Sequence, residues 1–299
     1  MLGQNASDDE YFHDDDFVWA VSKKSQGSGY TLDQELYQTL VKQVGWARGC
    51  LDAKIDYMKK YIDPAGSLTT DDGNLTDLGL LADHFNLVKA RKFVGTFWGQ
   101  GKWELPKHYK ASHVHKEDLR VLYNTVLRVL EVCLQGLSQP LVIRGKSGKS
   151  KDVSKDTAGY VVRRRGRLKG DDSDFPEEVG GGKRPRIEHD MIFLYRSEQA
   201  KGNIHLDYND IPLDSENQVT RFSTCCFWTV IHEATHKFAR TRDVDSPRCY
   251  EVLGRRKMHW TDAVRNASHY ELYAGIDSAA NPEFKSGVAK RNADMMWKP

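Results

Sequence analysis

One pentapeptide constrains this chain more than any other feature. It is His232-Glu233-Ala234-Thr235-His236, set within Cys225-Cys226-Phe227-Trp228-Thr229-Val230-Ile231 on one side and Lys237-Phe238 on the other. The segment around it is apolar enough for a core helix. Residues four apart share one helical face, so both imidazoles point the same way, one turn apart. Two histidines and a glutamate are costly to bury unless something pairs them. A Zn²⁺ ion would do so, held by both rings at roughly 2.0–2.1 Å. Glu233 could then take a proton from a water on the metal. The sequence therefore predicts a metal centre with His232 and His236 as ligands and Glu233 as the acid–base group.

Composition narrows the surroundings. With 299 residues the chain can bury a sizeable core. Its formal net charge of +2 gives no global field toward nucleic acid or an anionic membrane. No apolar run approaches the roughly 20 residues that span a bilayer. Residues 1–10 lack a basic patch followed by an apolar stretch, so we expect synthesis in the cytoplasm without a signal peptide. Cys50, Cys133, Cys225, Cys226 and Cys249 are odd in number and follow no framework spacing, which predicts reduced thiols.

Along the chain we expect three parts. Residues 1–29 are polar and acidic and read as a flexible tail, with Phe17, Val18, Trp19 and Val21 able to pin part of it. Residues 30–139 read as a helical subdomain. Thr31 and Gln34 resemble a capping box. The helix they open carries Leu36, Leu40, Val44, Ala47, Leu51, Ile55, Met58 and Ile62 on one face, and Pro64 with Gly66 stops it. A second helix is expected over 76–94 (Leu78, Leu81, Phe85, Val88). A third is expected over 117–137 (Leu119, Leu122, Val126, Val129, Leu130, Cys133), with His113 and His115 before it on the surface.

Residues 140–299 form the third part. Its strand candidates are 140–143, 159–162, 190–195 and 203–208. The last could wall a substrate groove, an extended peptide pairing with its edge; His205 within it reads as a plain strand residue. The motif helix is expected to start near Gln218. A basic, glycine-rich insertion covers about 144–187. Its Gly-Lys-Ser repeats at 145–150 lack the earlier glycine of a phosphate loop, since Pro140 and Ile143 stand there. A solvated loop explains the insertion better than a nucleic-acid surface, for no aromatic interleaving accompanies it.

A catalytic zinc takes three protein ligands and one open position. After His236 the candidates for the third are Asp243, Asp245 and Glu251. Farther on lies Asn266-Ala267-Ser268-His269-Tyr270-Glu271. With His-Glu-x-x-His and Thr241-Arg242-Asp243, this combination resembles the aspzincin metalloendopeptidases, the deuterolysin and peptidyl-Lys type. The resemblance is specific over about 190–275, with Arg240 where the family usually has glycine. It implies an α+β, zincin-like fold, mostly helical with a small sheet flanking the motif helix. It implies Zn²⁺ on His232, His236 and Asp243, with Asp245 the fallback. Tyr250 would steady the oxyanion in place of a family tyrosine whose position here holds Ser246. Ser268, Tyr270 and Glu271 match the helix that forms a lysine-recognising pocket in some members. Ser268 stands where those members carry an aspartate, which weakens a preference for lysine on the primed side.

The implied function is zinc-dependent hydrolysis of peptide bonds in protein substrates by a monomer without a membrane segment. Absence of a signal and of disulfides resembles the bacterial members, often toxin or effector domains exported by dedicated systems; a cognate inhibitor or immunity protein would then be a partner. Two other classes compete. One is a non-catalytic zinc-containing peptide-binding protein, to which a fourth ligand such as Cys249 would also lead. The other is a nucleic-acid-binding toxin using the basic segment 163–186.

Overall fold

The computed structural model describes residues 10–14, 18–23, 34–89, 92–94, 102–105, 114–145, 159–161, 204–206, 227–244 and 252–276. Helices account for most of them, as the sequence predicts. The long helix α1, Gln34–Tyr61, buries Leu40, Val44, Ala47, Leu51, Ile55 and Met58 from its single apolar stripe. Helix α3, Lys116–Leu137, buries all six positions of its expected stripe, from Leu119 to Cys133. These two stripes meet each other and the motif helix α4, Phe227–Ala239, whose Phe227, Val230, Ile231 and Ala234 complete the shared core. Cys50 and Cys133 are buried thiols outside any disulfide, and burial pushes the Cys133 thiol well up. Cys225, Cys226 and Cys249 lie outside the described residues, as do His113 and the strand candidate at 190–195.

The second helix is shorter than its periodicity suggests. α2 is Asp77–His84, capped by Thr76, whose side chain accepts from the Gly79 amide. It ends because Asn86 turns left-handed, with φ 60. The Leu87 amide then bonds Ala82 O at 2.8 Å and the Asn86 amide bonds Asp83 O at 3.0 Å. This is the Schellman arrangement that closes helices, with asparagine in the place more often held by glycine. Strand β3, Lys92–Val94, occupies the end of the expected helix and pairs with β4, Lys102–Glu104.

The segment read as an acidic tail is more than a tail. It holds β1, Glu10–Asp14, and β2, Val18–Lys23, paired antiparallel. Val18 is buried, and its carbonyl accepts from the Tyr37 hydroxyl at 3.2 Å. Strands β5 (Leu141–Gly145), β6 (Gly159–Val161) and β7 (Ile204–Leu206) join this hairpin in the order β1-β2-β5-β7-β6. β2, β5 and β7 run parallel, and β6 is antiparallel to β7. The strand expected to offer an edge to a peptide is thus an inner one: β7 is paired on both sides, and His205 faces Arg144 and Tyr160 in register. α4 lies against β6 and β7, while α1 touches β2. Among the described residues, no helix is long and apolar enough to cross a membrane.

The position of α4 depends on a close approach to α3. A Cβ added at Gly136 would fall onto the ring of Phe238. Overpacking of this kind typically costs about 1–3 kcal/mol. Gly136→Ala is expected to lower the denaturant midpoint accordingly, and an unchanged midpoint would show that the two helices part easily.

Candidate metal centre

The motif forms a helix for ordinary reasons. Its apolar residues face α1 and α3, and the resulting burial carries His232, Glu233 and His236 inside with them. The two imidazoles are one turn apart, and their Nε2 atoms lie 3.1 Å from each other. What aims them is the bond each makes through its other nitrogen. His236 Nδ1 is 2.8 Å from the Thr241 carbonyl oxygen. A carbonyl can only accept, so the proton sits on Nδ1. His232 Nδ1 is 2.9 Å from Glu271 Oε2 and donates to it.

The chain supplies the third group by turning back at once. Arg240 takes a left-handed conformation, φ 55, at the position where the resembled pattern has glycine. The backbone can make this turn with an arginine, at some cost in strain. The Thr241 amide then bonds Thr235 O at 3.2 Å, and the two threonine hydroxyls meet at 2.7 Å. Two residues on, Asp243 Oδ1 is 3.1 Å from His232 Nε2, and Oδ2 is 3.4 Å from His236 Nε2.

These separations fit a cation. Four ligands around a tetrahedral zinc at roughly 2.0–2.1 Å stand about 3.3 Å from one another. The three separations, 3.1, 3.1 and 3.4 Å, lie close to that length. Donor chemistry agrees. Asp243 Oδ1 is buried and makes no well-aligned hydrogen bond despite its short distance to the ring. Acceptor atoms that converge in a buried place need a positive centre between them. His232, Glu233 and His236 also form a buried group compact enough to hold a metal ion. Asp243 fits better as third ligand than Glu233, because its oxygens approach both Nε2 atoms.

The charges follow the geometry. Burial would lower the His232 pKa, but Asp243 and Glu271 on its two sides outweigh burial and raise it well above the usual value. Burial likewise acts to raise Asp243, yet the His232 and His236 rings beside it hold it well below the carboxylate range. Glu233 is 3% exposed, and its Oε2 has no partner. Burial pushes its carboxyl up, with the charges of His236 and His232 pulling the other way.

Behind the ligands lies a clamp that spacing alone does not announce. Arg242 and Asn266 pair as a parallel bridge: the Arg242 amide bonds Arg265 O at 2.8 Å, and the Ala267 amide bonds Arg242 O at 3.0 Å. Buried Asn266 accepts from the Val244 amide at 3.3 Å and donates to His269 Nδ1 at 2.9 Å. Asp243 is held between these two attachments. Helix α5 is Val252–Lys257, α6 is Trp260–Ala263 and α7 is Ala267–Tyr270. A π-helical turn, Glu271–Ile276, follows and packs on α4. Of the residues expected to bind substrate, Ser268 is 2% exposed and Tyr270 0%, and the Tyr270 hydroxyl is taken by Val264 O at 2.7 Å. Only Glu271 stays partly open, and it is bonded to His232. Asp245, Ser246, Cys249, Tyr250 and Glu251 lie outside the described residues, as does the basic stretch 163–186. No protein family, curated protein or solved structure matches the chain.

Two tests follow from the clamp. Asn266→Ala would leave the Val244 amide and His269 Nδ1 without partners, a loss of about 1–3 kcal/mol. A lower melting temperature together with weaker zinc binding is expected, and unchanged zinc affinity would separate the clamp from the metal centre. The second test is pH. His269 is held well below its usual pKa by burial, helped by His84 and Arg255. The unfolded chain therefore binds a proton near pH 6.5 that the native state refuses, and this contribution is lost as pH falls below that value. His232, whose folded pKa is raised, acts in the opposite sense and only above that pH. Denaturation of the metal-free protein should show stability dropping by roughly 1 kcal/mol per pH unit below about 6.5. His269→Gln should flatten that slope.

Proposed function

We propose that the chain is a zinc-dependent endopeptidase of the zincin-like, aspzincin type, acting on peptide bonds of protein substrates. The observation that carries the proposal is the convergence of His232 Nε2, His236 Nε2 and the Asp243 carboxylate on one buried point, with Glu233 beside it and its Oε2 unpartnered. Zn²⁺ held by those three groups would supply Lewis acidity, drawing the pKa of a bound water toward about 7 and polarising a carbonyl.

The chain's own residues do the rest. His232 and His236 are locked in the tautomer that turns Nε2 toward the site, by Glu271 and by the Thr241 carbonyl. Glu233 follows His232 on the same helix and has no competing hydrogen bond on Oε2. Its burial favours the protonated form more than an exposed carboxyl would. It can therefore accept a proton from the attacking water. It can then release that proton to the amine as the C–N bond breaks. The carboxylate is regenerated, and acid and amine products leave. A general base of this kind contributes roughly 10²–10⁴-fold.

Glu233→Gln is expected to keep one zinc per chain and to lose at least that factor in cleavage of a mixed peptide library, read by mass spectrometry. Chelation should abolish wild-type cleavage and added zinc restore it. An active Glu233→Gln protein would remove the proposed base. A wild-type protein that holds zinc and cuts nothing would be a peptide-binding protein instead.

A further inference from the structure

We infer that Glu271 is a positioning residue of the metal centre, and that it is not the acid of a lysine-recognising pocket. The inference rests on the zinc reading above and assigns Glu271 a place in that same centre. Its Oε2 lies 2.9 Å from His232 Nδ1, on the side of the ring away from Asp243 and His236. A carboxylate there cannot also ligate an ion at Nε2, so it acts through the imidazole. It fixes the proton on Nδ1, sets the ring's rotation and makes Nε2 a better donor. Metal-binding histidines commonly need such a partner, and its loss typically weakens metal affinity 10–100-fold.

The backbone around Glu271 is built for that contact. Residues 267–270 form an α-helical turn, and at Glu271 the winding widens into a π-helical one. A π turn inserted into a helix shifts the direction of the side chains after it. One turn beyond, Gly275 lets the segment lie close on α4. A Cβ there would come 3.2 Å from Trp228 Cβ and 3.6 Å from Ile231 Cδ1. Ile231 and His232 are neighbours on α4, so the close approach at Gly275 and the hydrogen bond from Glu271 seat the same stretch of that helix. The pocket reading, by contrast, needs acids that face a bound side chain. Ser268 offers no charge and is closed off, and one of the two Glu271 oxygens, Oε2, is engaged by His232.

The test compares wild type, Glu271→Ala and Glu271→Gln in the full chain. Zinc affinity by competition with a chromophoric chelator is expected to fall 10–100-fold in Glu271→Ala and less in Glu271→Gln, whose amide oxygen can still accept from Nδ1. Nitrogen-15 spectra of the zinc-loaded protein should show the His232 Nδ1–H of the wild type loosened or exchanging in Glu271→Ala. Relative cleavage before lysine and before norleucine should be the same in wild type and Glu271→Gln. Glu271→Ala binding zinc as tightly as wild type, with the ring proton unchanged, would overturn the inference and leave the metal centre standing. Loss of cleavage before lysine alone, with zinc affinity intact, would also overturn it, in favour of the pocket. Wild type binding no zinc would overturn the zinc reading, and this inference with it.

Discussion

The structure depends on where two protons are kept. The Thr241 carbonyl and the Glu271 carboxylate each take the Nδ1–H of one histidine. Once those bonds are made, both Nε2 atoms turn inward, and Asp243 brings a carboxylate to the same spot. Three electron-rich groups this close together need a positive charge among them, which a proton on His232, whose pKa they raise, or a metal ion can supply. The surrounding groups thus leave a place that could hold a metal ion.

Those acceptors come from different segments, and each is brought close by a specific local device. Arg240 in the left-handed region reverses the chain after α4, so Thr241 and Asp243 follow the histidines by only a few residues. Asn266 ties that reversal to the segment leading into α7. The π turn after α7 brings Glu271 to α4 from the other side. Beneath all this, Gly136 admits Phe238 at the α3–α4 crossing and Gly275 admits the π turn. The helix is fixed on two faces by residues with no side chain, which leaves its third face to the chemistry.

Much of this was legible in the sequence where a single period governs. The stripes of α1 and α3, and the His-Glu-x-x-His face, follow from helical spacing, and burial bears the stripes out. Periodicity misled at α2, since Leu78, Leu81, Phe85 and Val88 keep the helical rhythm past the point where Asn86 reverses the backbone. The hairpin β1–β2 was masked by its acidic flanks. The inner position of β7 could not be read, because strand order is a long-range property and the strand itself is short. Glu271 and Asn266 stand out in the sequence as motif residues, but their partners lie 39 and 22 positions away. No local pattern encodes such pairs; they arise only when the segment 266–271 has docked on α4 and the turn after it.

The N-terminal hairpin has one further consequence. β2 pairs in parallel with β5, Val18 beside Leu141, so more than a hundred residues separate two neighbouring strands. Helices α1, α2 and α3 all lie within that span. Closing so large a loop is slow, while helix contacts within it are comparatively local. During synthesis the hairpin emerges first and must wait, its inner edge unsatisfied, until the ribosome has released Leu141. The helical layer therefore assembles ahead of the sheet that joins the hairpin to β5 and β7, and the motif helix, made later still, docks onto a surface already in place.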